Sequence, residues 1–316
     1  MHEFRRNKVK LNKTSKALIV VGDSFVEGMG ALTDTIWERY DWSEDKLSSI
    51  GSHLAENGVY QPNPEYMSIR AQEMSNAFPD IICKDYMKDW TPINFGYRGN
   101  GNRAAVKSLT TTHPDLNLHL PNEKIVVFMP SQFVRFDFLN DNFDSHNSWR
   151  TIWPHNPGDD MTPGTQDLWR GYATEIYSEV TGLIEFMFLI KELEMWCSVN
   201  NAKLVIVNCF EHRLSKEYFA KIGKQNKYVK LILDQMPWDK LMPHQKGKNC
   251  MVDELLEKEG KLDIAEVEHG FYGWAKSFKK GTPKGYFTPC AHPSIKGHEL
   301  FAKVIYNHIK KTILDV

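Results

Sequence analysis

The chain has 316 residues, with 39 lysines and arginines against 40 aspartates and glutamates. It is long enough to bury a large core, and it carries no net field that would draw nucleic acid or an anionic membrane. No segment reaches the roughly 18 apolar residues of a membrane span, and the basic run RRNKVKLNKTSK is not followed by an apolar stretch of signal-peptide length, so a soluble, cytoplasmic protein without membrane or nucleic-acid partners is expected.

In chain order, the first predicted strand is ALIVVG (17 to 22), leading into Gly22, Asp23 and Ser24. An acidic, tryptophan-containing insertion follows near 31–65, then the helical pattern SIRAQEMSNAF. The strand PINFG (92 to 96) runs into the loop NFGYRGNGN and the helix RAAVKSL. The third strand, KIVVFMP (124 to 130), ends in PSQFVRF and a second insertion near 131–172. A long apolar helix, IYSEVTGLIEFMFLIKELEMWCSV, precedes the strand KLVIVNCF (203 to 210). A third insertion near 211–290 leads to CAHPSIKGHEL and a terminal helix.

The four apolar runs are β-branched and nearly continuous, the pattern of strands buried on both faces, and helices alternate with them. This predicts an α/β fold with a parallel sheet, one domain over 1–316 with three long insertions. The very apolar VTGLIEFMFLI is read as a buried crossover helix rather than a lipid pocket. Five scattered cysteines without a CxxC pair indicate neither a disulfide framework nor a zinc ribbon. Cys290 with His292, or His292 with His298, has ligand-type chemistry, but no metal-site spacing supports it, and no metal is expected.

In an open parallel sheet, ligands bind beyond the carboxyl ends of the strands. Gly22 permits a tight turn that would lift Ser24 clear of the sheet edge; the plainer reading is a strand-to-helix turn capped by Asp23 or Ser24. NFGYRGNGN, with its glycines and asparagines, could bring backbone N–H groups to a ligand oxygen, although it is neither a P-loop nor a dinucleotide fingerprint. The third strand offers Ser131, Gln132 and Arg135. His292, before Pro293, sits on a loop where it can act as a general base near neutral pH.

Together, VVGDSFVEG, NFGYRGNGN, PSQF and HPSIKGH resemble, in order, the blocks of the SGNH or GDSL-type hydrolase superfamily, with the PSQF block similar to variants in bacteriophage genomes. The resemblance implies a flavodoxin-like three-layer sandwich and a cofactor-free serine esterase. A phage origin would place the protein in the virion or the host cytoplasm. By position, Ser24 is the expected nucleophile and His292 the base, with the N–H groups of Ser24 and Gly99 in the oxyanion hole. The family's acid, three residues before the histidine, is replaced by Pro289, so a backbone carbonyl or an acid from the 211–290 insertion must orient His292. The family's oxyanion asparagine is also missing, leaving Ser131 or Gln132 to substitute.

Aromatic residues at 37, 42, 149 and 153, with Tyr40 and Tyr97, lie in or beside the loops expected to border the site. With neighbouring Asp23 and Asn100 they suit a glycan, because sugar faces stack on rings while hydroxyls hydrogen-bond. Trp37 and Trp149 are the leading candidates. Arg98, Arg103 and Arg135 could hold a carboxylate or phosphate. The expected function is therefore hydrolysis of an acyl ester, with a carbohydrate ester as substrate. An acyltransferase using the same dyad, or a silent binding or virion protein on the same fold, are the rivals.

Overall fold

The computed structural model describes residues 11–50, 52–54, 60–97, 99, 101–111, 118–133, 135–139, 149–152, 163–209, 214–225, 227–244, 248–261, 285–288 and 290–315. Arg98, Asn100, Trp153 and Pro289 lie outside them, as does the side chain of Trp149. The strands of the main sheet are β1 (Lys16–Gly22), β2 (Trp90–Gly96), β3 (Glu123–Phe128) and β4 (Ala202–Ile206). The helices that matter below are α1 (Pro64–Ser75), α2 (Asn102–Thr110), α3 (Glu179–Val199), α4 (Lys216–Gln225), α5 (Lys227–Leu233) and α6 (Ile295–Ile309).

The sheet is wholly parallel in the order β2-β1-β3-β4, the first four positions of the flavodoxin-like order. The four apolar runs are these strands, each beginning one or two residues before its predicted start. In β1 every residue after Lys16 is buried, and in β3 every residue after Glu123. That continuous burial explains why the sequence shows no alternation. Register places Gly22 opposite Gly96 and Val21 opposite Phe128, so β1, β2 and β3 end level with one another. β1 is the switch point: the chain steps from it to β2 on one side and later to β3 on the other, the position beside which open α/β sheets bind ligands.

Contacts divide the chain into two compact units, Met1–Asp23 with Asp89–Cys250, and Ser24–Lys88 with Met251–Val316. The first holds the sheet. Its core joins Ile19, Val21, Phe95, Val126 and Phe128 to Ala105, Val106 and Leu109 of α2 and to Phe186, Ile190 and Leu193 of α3. Thus α3 is a crossover helix packed on the sheet, capped by Ser178, whose hydroxyl accepts from the Thr181 N–H.

The second unit carries its own small core of Leu32, Ile36, Trp37, Trp42, Leu47 and Ile69. The 31–65 insertion is therefore built around packed aromatics rather than being an open loop, and it includes an antiparallel pair, Ser52–Leu54 with Tyr60–Pro62. α1 starts at Pro64 behind Asn63, whose side chain accepts from the Glu65 N–H. The 131–172 insertion likewise contains an antiparallel pair, Phe136–Leu139 with Trp149–Ile152.

Candidate active site

Ser24 follows β1 after a single residue and begins one helical turn, Ser24–Glu27, closed by the Gly28 and Met29 N–H groups donating to its carbonyl at 3.2 and 3.0 Å. The turn then reverses through Gly28 and Gly30, at φ +93° and +86°. A Cβ at Gly28 would lie 2.6 Å from the Glu73 carbonyl oxygen, so only glycine fits both the angle and the space. Ser24 is 8% exposed.

His292 arrives from a tightly laced loop. The Thr288 N–H donates to the His292 carbonyl at 2.9 Å, the Ser294 N–H to the Tyr286 carbonyl at 2.9 Å, and the Ala291 N–H to the Thr288 carbonyl at 2.9 Å. The Thr288 hydroxyl adds a second bond to the His292 carbonyl at 3.0 Å. Within this loop Ala291 takes φ +63°, a left-handed conformation that a residue with a Cβ holds only when its surroundings enforce it. Ser294 then caps α6 by accepting from the Gly297 N–H.

The result brings His292 Nε2 to 2.8 Å from Ser24 Oγ, while His292 Nδ1 lies 2.8 Å from the Cys290 carbonyl oxygen. A carbonyl can only accept, so Nδ1 carries the proton. In the neutral ring Nε2 then presents its lone pair to the serine hydroxyl. This is the tautomer a general base needs, and a carbonyl two residues upstream selects it. Phe25, the residue after the serine, packs against the imidazole with ring centroids 5.0 Å apart.

Behind the pair lies a buried ionic layer. Arg70 of α1 bridges Glu27, at the end of the serine turn, and Glu73, and all three side chains are buried. Glu73 Oε1 also accepts from the Gly30 N–H at 2.8 Å. His298 is fully buried between Phe78 and Phe301 and accepts from the Phe78 N–H at Nδ1. Burial first, and the neighbouring His292 second, push its pKa down to about 3. Among the described residues no cluster of three or more His, Cys, Asp or Glu side chains is placed to hold a metal ion.

The other expected site residues belong to the sheet-bearing unit. Asp23 and Arg135 are both buried and pair with each other at 3.3 Å, so each is a counter-ion for the other rather than an open contact for a ligand. Gly99 is exposed at φ +75°, with open space where a Cβ would project. Ser131 and Gln132 are buried, and their loop is latched by Asn102. The Asn102 Oδ1 accepts from the Ser131 N–H at 2.7 Å, and its Nδ2 donates to the Ser131 carbonyl at 3.1 Å.

Asp137 takes the Gly101 and Ala104 N–H groups at 3.0 and 2.9 Å and the Thr151 hydroxyl at 2.6 Å. It thereby fills the start of α2, where the glycine loop would otherwise have cradled a phosphate. Burial raises the Asp137 pKa, against its hydrogen bonds.

Trp37 corrects the sequence reading. It is 1% exposed, stacked on Trp42 at 6.3 Å, and donates to the Gly30 carbonyl. Its ring fills the base of the 31–65 insertion, where it has no face left for a sugar. Tyr40 donates to Glu65 at that insertion's surface, and Arg103 pairs with Glu185. Of the two ways expected to orient His292, the structure shows the backbone carbonyl, that of Cys290, whereas Thr288, Glu73, Asn102 and Asp137 are not among the expected residues. Only Asp137 left a trace in the sequence, as a lone acid between the aromatics of FDF.

No family model and no curated protein matches the chain. Solved structures similar to it include a carbohydrate esterase whose active site displays divergent catalytic and non-catalytic binding functions, at 12% identity over 96% of this chain and 68% of that one, with a TM-score of 0.38. A lipase from a goat rumen metagenome is 12% identical over 93% of this chain and 97% of its own, TM-score 0.36. An α/β hydrolase from the metagenome of Lake Arreo, Spain, is 11% identical over 93% and 95%, TM-score 0.36. These likenesses are too loose to assign an activity.

Proposed function

We propose that the protein is an SGNH-type serine hydrolase acting on an acyl ester. The observation that carries this reading is the Ser24 Oγ to His292 Nε2 distance of 2.8 Å, with Nδ1 held on the Cys290 carbonyl. Ser24 Oγ attacks the acyl carbon as Nε2 takes the hydroxyl proton, giving a tetrahedral oxyanion beside the Ser24 amide. The imidazolium returns that proton to the leaving alcohol, which departs and leaves the acyl group on Ser24. Water then enters, gives a proton to Nε2, and attacks the acyl-enzyme; proton return to Ser24 Oγ releases the acid.

A carbohydrate as the alcohol partner was suggested by aromatic loops. With Trp37 and Trp42 in the core, that support is reduced, and the proposal commits to the ester and to sugar esters as the first substrates to assay. The experiment is a fluorophosphonate serine probe applied to the protein, to Ser24→Ala and to His292→Ala, with the labelled residue read by mass spectrometry. Labelling at Ser24 that both substitutions abolish is expected. An intact, folded protein that takes no label would replace the hydrolase with a binding protein on the same scaffold. Acetylated xylan and p-nitrophenyl acetate, assayed side by side, then separate a glycan esterase from a general one.

A further inference from the structure

In the sheet-bearing unit, α4 and α5 line a half-open pocket of about 540 Å³ in the 211–290 insertion. The two helices approach closely at Gly223, where a Cβ would lie 2.8 Å from Leu233 Cδ1. Phe219 and Leu233, almost wholly buried, form its floor, and the half-buried Trp238 ring lies 5.2 Å from that of Phe219. Among the described residues its rim carries Lys216, Lys224, Lys227 and Lys230, all exposed, and one acid, Asp234.

We infer that this cavity binds a small amphiphilic anion, an aliphatic chain with a carboxylate or phosphate head. The size falls within the range of ligand pockets, roughly 300–1,000 Å³. The apolar floor takes the chain, and the lysines take the head. Lysine stems often lie along apolar surface with their charges in water; here four of them ring a concavity instead of a flat face.

The lining also argues against other ligands. Asp234 is the sole oxygen-bearing side chain among the described lining residues, and the Trp238 indole N–H is directed at the Leu233 carbonyl at 3.4 Å. A sugar or a nucleobase would leave its hydroxyls or ring edges without partners there, which is costly once they are desolvated. Lysines act as point charges rather than planar forks, so they accept any anionic head of the right size.

The test is isothermal titration calorimetry on the full chain with decanoate, decyl phosphate, decanol and inorganic phosphate. Decanoate and decyl phosphate should bind, with decanol and inorganic phosphate at least about tenfold weaker, and affinity should fall as salt rises. The double variant Lys224→Glu with Lys230→Glu should weaken decanoate by about tenfold or more, as should Ala220→Trp by filling the space. Both alter exposed positions, and circular dichroism checks that they fold. His292→Ala should bind decanoate as the parent does, which separates this cavity from the hydrolase reading; loss of binding in that variant would overturn the inference. So would absence of decanoate binding, equal affinity for decanol, inorganic phosphate matching decyl phosphate, or indifference to the lysine reversals.

Discussion

Gly30→Ala probes the dyad without touching either member. Gly30 sits at φ +86°, and a Cβ there would fall 2.8 Å from Thr288 Oγ1 and 3.2 Å from both Cys290 Sγ and His292 Cβ. Holding alanine in that conformation costs roughly 1–3 kcal/mol. Ordinary contact begins near 3.4 Å, so the Thr288–His292 loop must also retreat by the difference of 0.6 Å. The 2.8 Å bond between His292 Nε2 and Ser24 Oγ then lengthens past a good hydrogen bond. A displacement near 1 Å at reacting groups costs about 10²-fold, so a loss of about 10- to 10²-fold is expected. The assay is the second-order rate of fluorophosphonate labelling at Ser24, with the urea midpoint measured in parallel. Because Thr288 Oγ1 is the nearest obstacle, adding Thr288→Ala should cost less than the sum of the two single changes. A folded Gly30→Ala that labels within about twofold of the parent would refute the claim that this loop sets the position of His292.

Three further outcomes follow from burial. Trp37→Ala should lower stability by about 3–5 kcal/mol in urea titration; a variant that keeps its stability but loses affinity for substrate would restore Trp37 as a substrate contact. Arg135→Met leaves the Asp23 charge buried without its guanidinium and should cost about 3–5 kcal/mol, part of which Asp23→Asn recovers in the double variant. His298 stays neutral in the fold, with a pKa of about 3, whereas the unfolded chain takes up its proton below the ordinary 6.5. The unfolded state therefore binds more protons between these values: this contribution is complete above 6.5 and is lost as pH falls toward 3. At about 1.4 kcal/mol per unit, moving from pH 7.5 to 5 should cost about 2 kcal/mol. His298→Asn keeps an acceptor for the Phe78 N–H and should remove that part of the difference between urea midpoints at the two pH values; an unchanged difference would assign it to other groups.

What could be read from the sequence depended on how local its cause was. β1 and β3 were visible because strands covered on both faces are apolar almost throughout, as ALIVV and IVVF are. The turn that bears Ser24 and the loop that bears His292 were legible because a glycine after a strand and a proline before a helix restrict the chain locally, while the roles proposed for the two residues rest on the joint resemblance of the blocks. Trp37 was misread because a tryptophan in a polar insertion reads the same whether it faces solvent or a small core; its burial depends on Leu32, Trp42, Leu47 and Ile69. The Asp23–Arg135 pair spans 112 positions, and Asp137 reaches 36 positions back to Gly101. No local pattern announces such pairings.

The carbonyl behind His292 is the most informative feature of the site. In a triad the carboxylate fixes the imidazole tautomer and also stabilises the imidazolium by charge. When the tautomer is lost in a serine protease, the rate falls about 10⁴-fold. Here the first task is done by the Cys290 carbonyl, held by the left-handed Ala291 and by both Thr288 bonds to the His292 carbonyl. The same carbonyl dipole also favours the imidazolium, by less than a full charge would. With Pro289 in place of the usual acid, the orientation of the ring is still fixed. Thr288→Val tests the share of the Thr288 hydroxyl in that orientation: it removes the hydroxyl bond and keeps the backbone bond and side-chain size. Labelling at Ser24 should slow by a few-fold to about tenfold, consistent with one neutral hydrogen bond of about 0.5–1.5 kcal/mol. A labelling rate in Thr288→Val equal to that of the parent would mean that the backbone ladder alone positions the base.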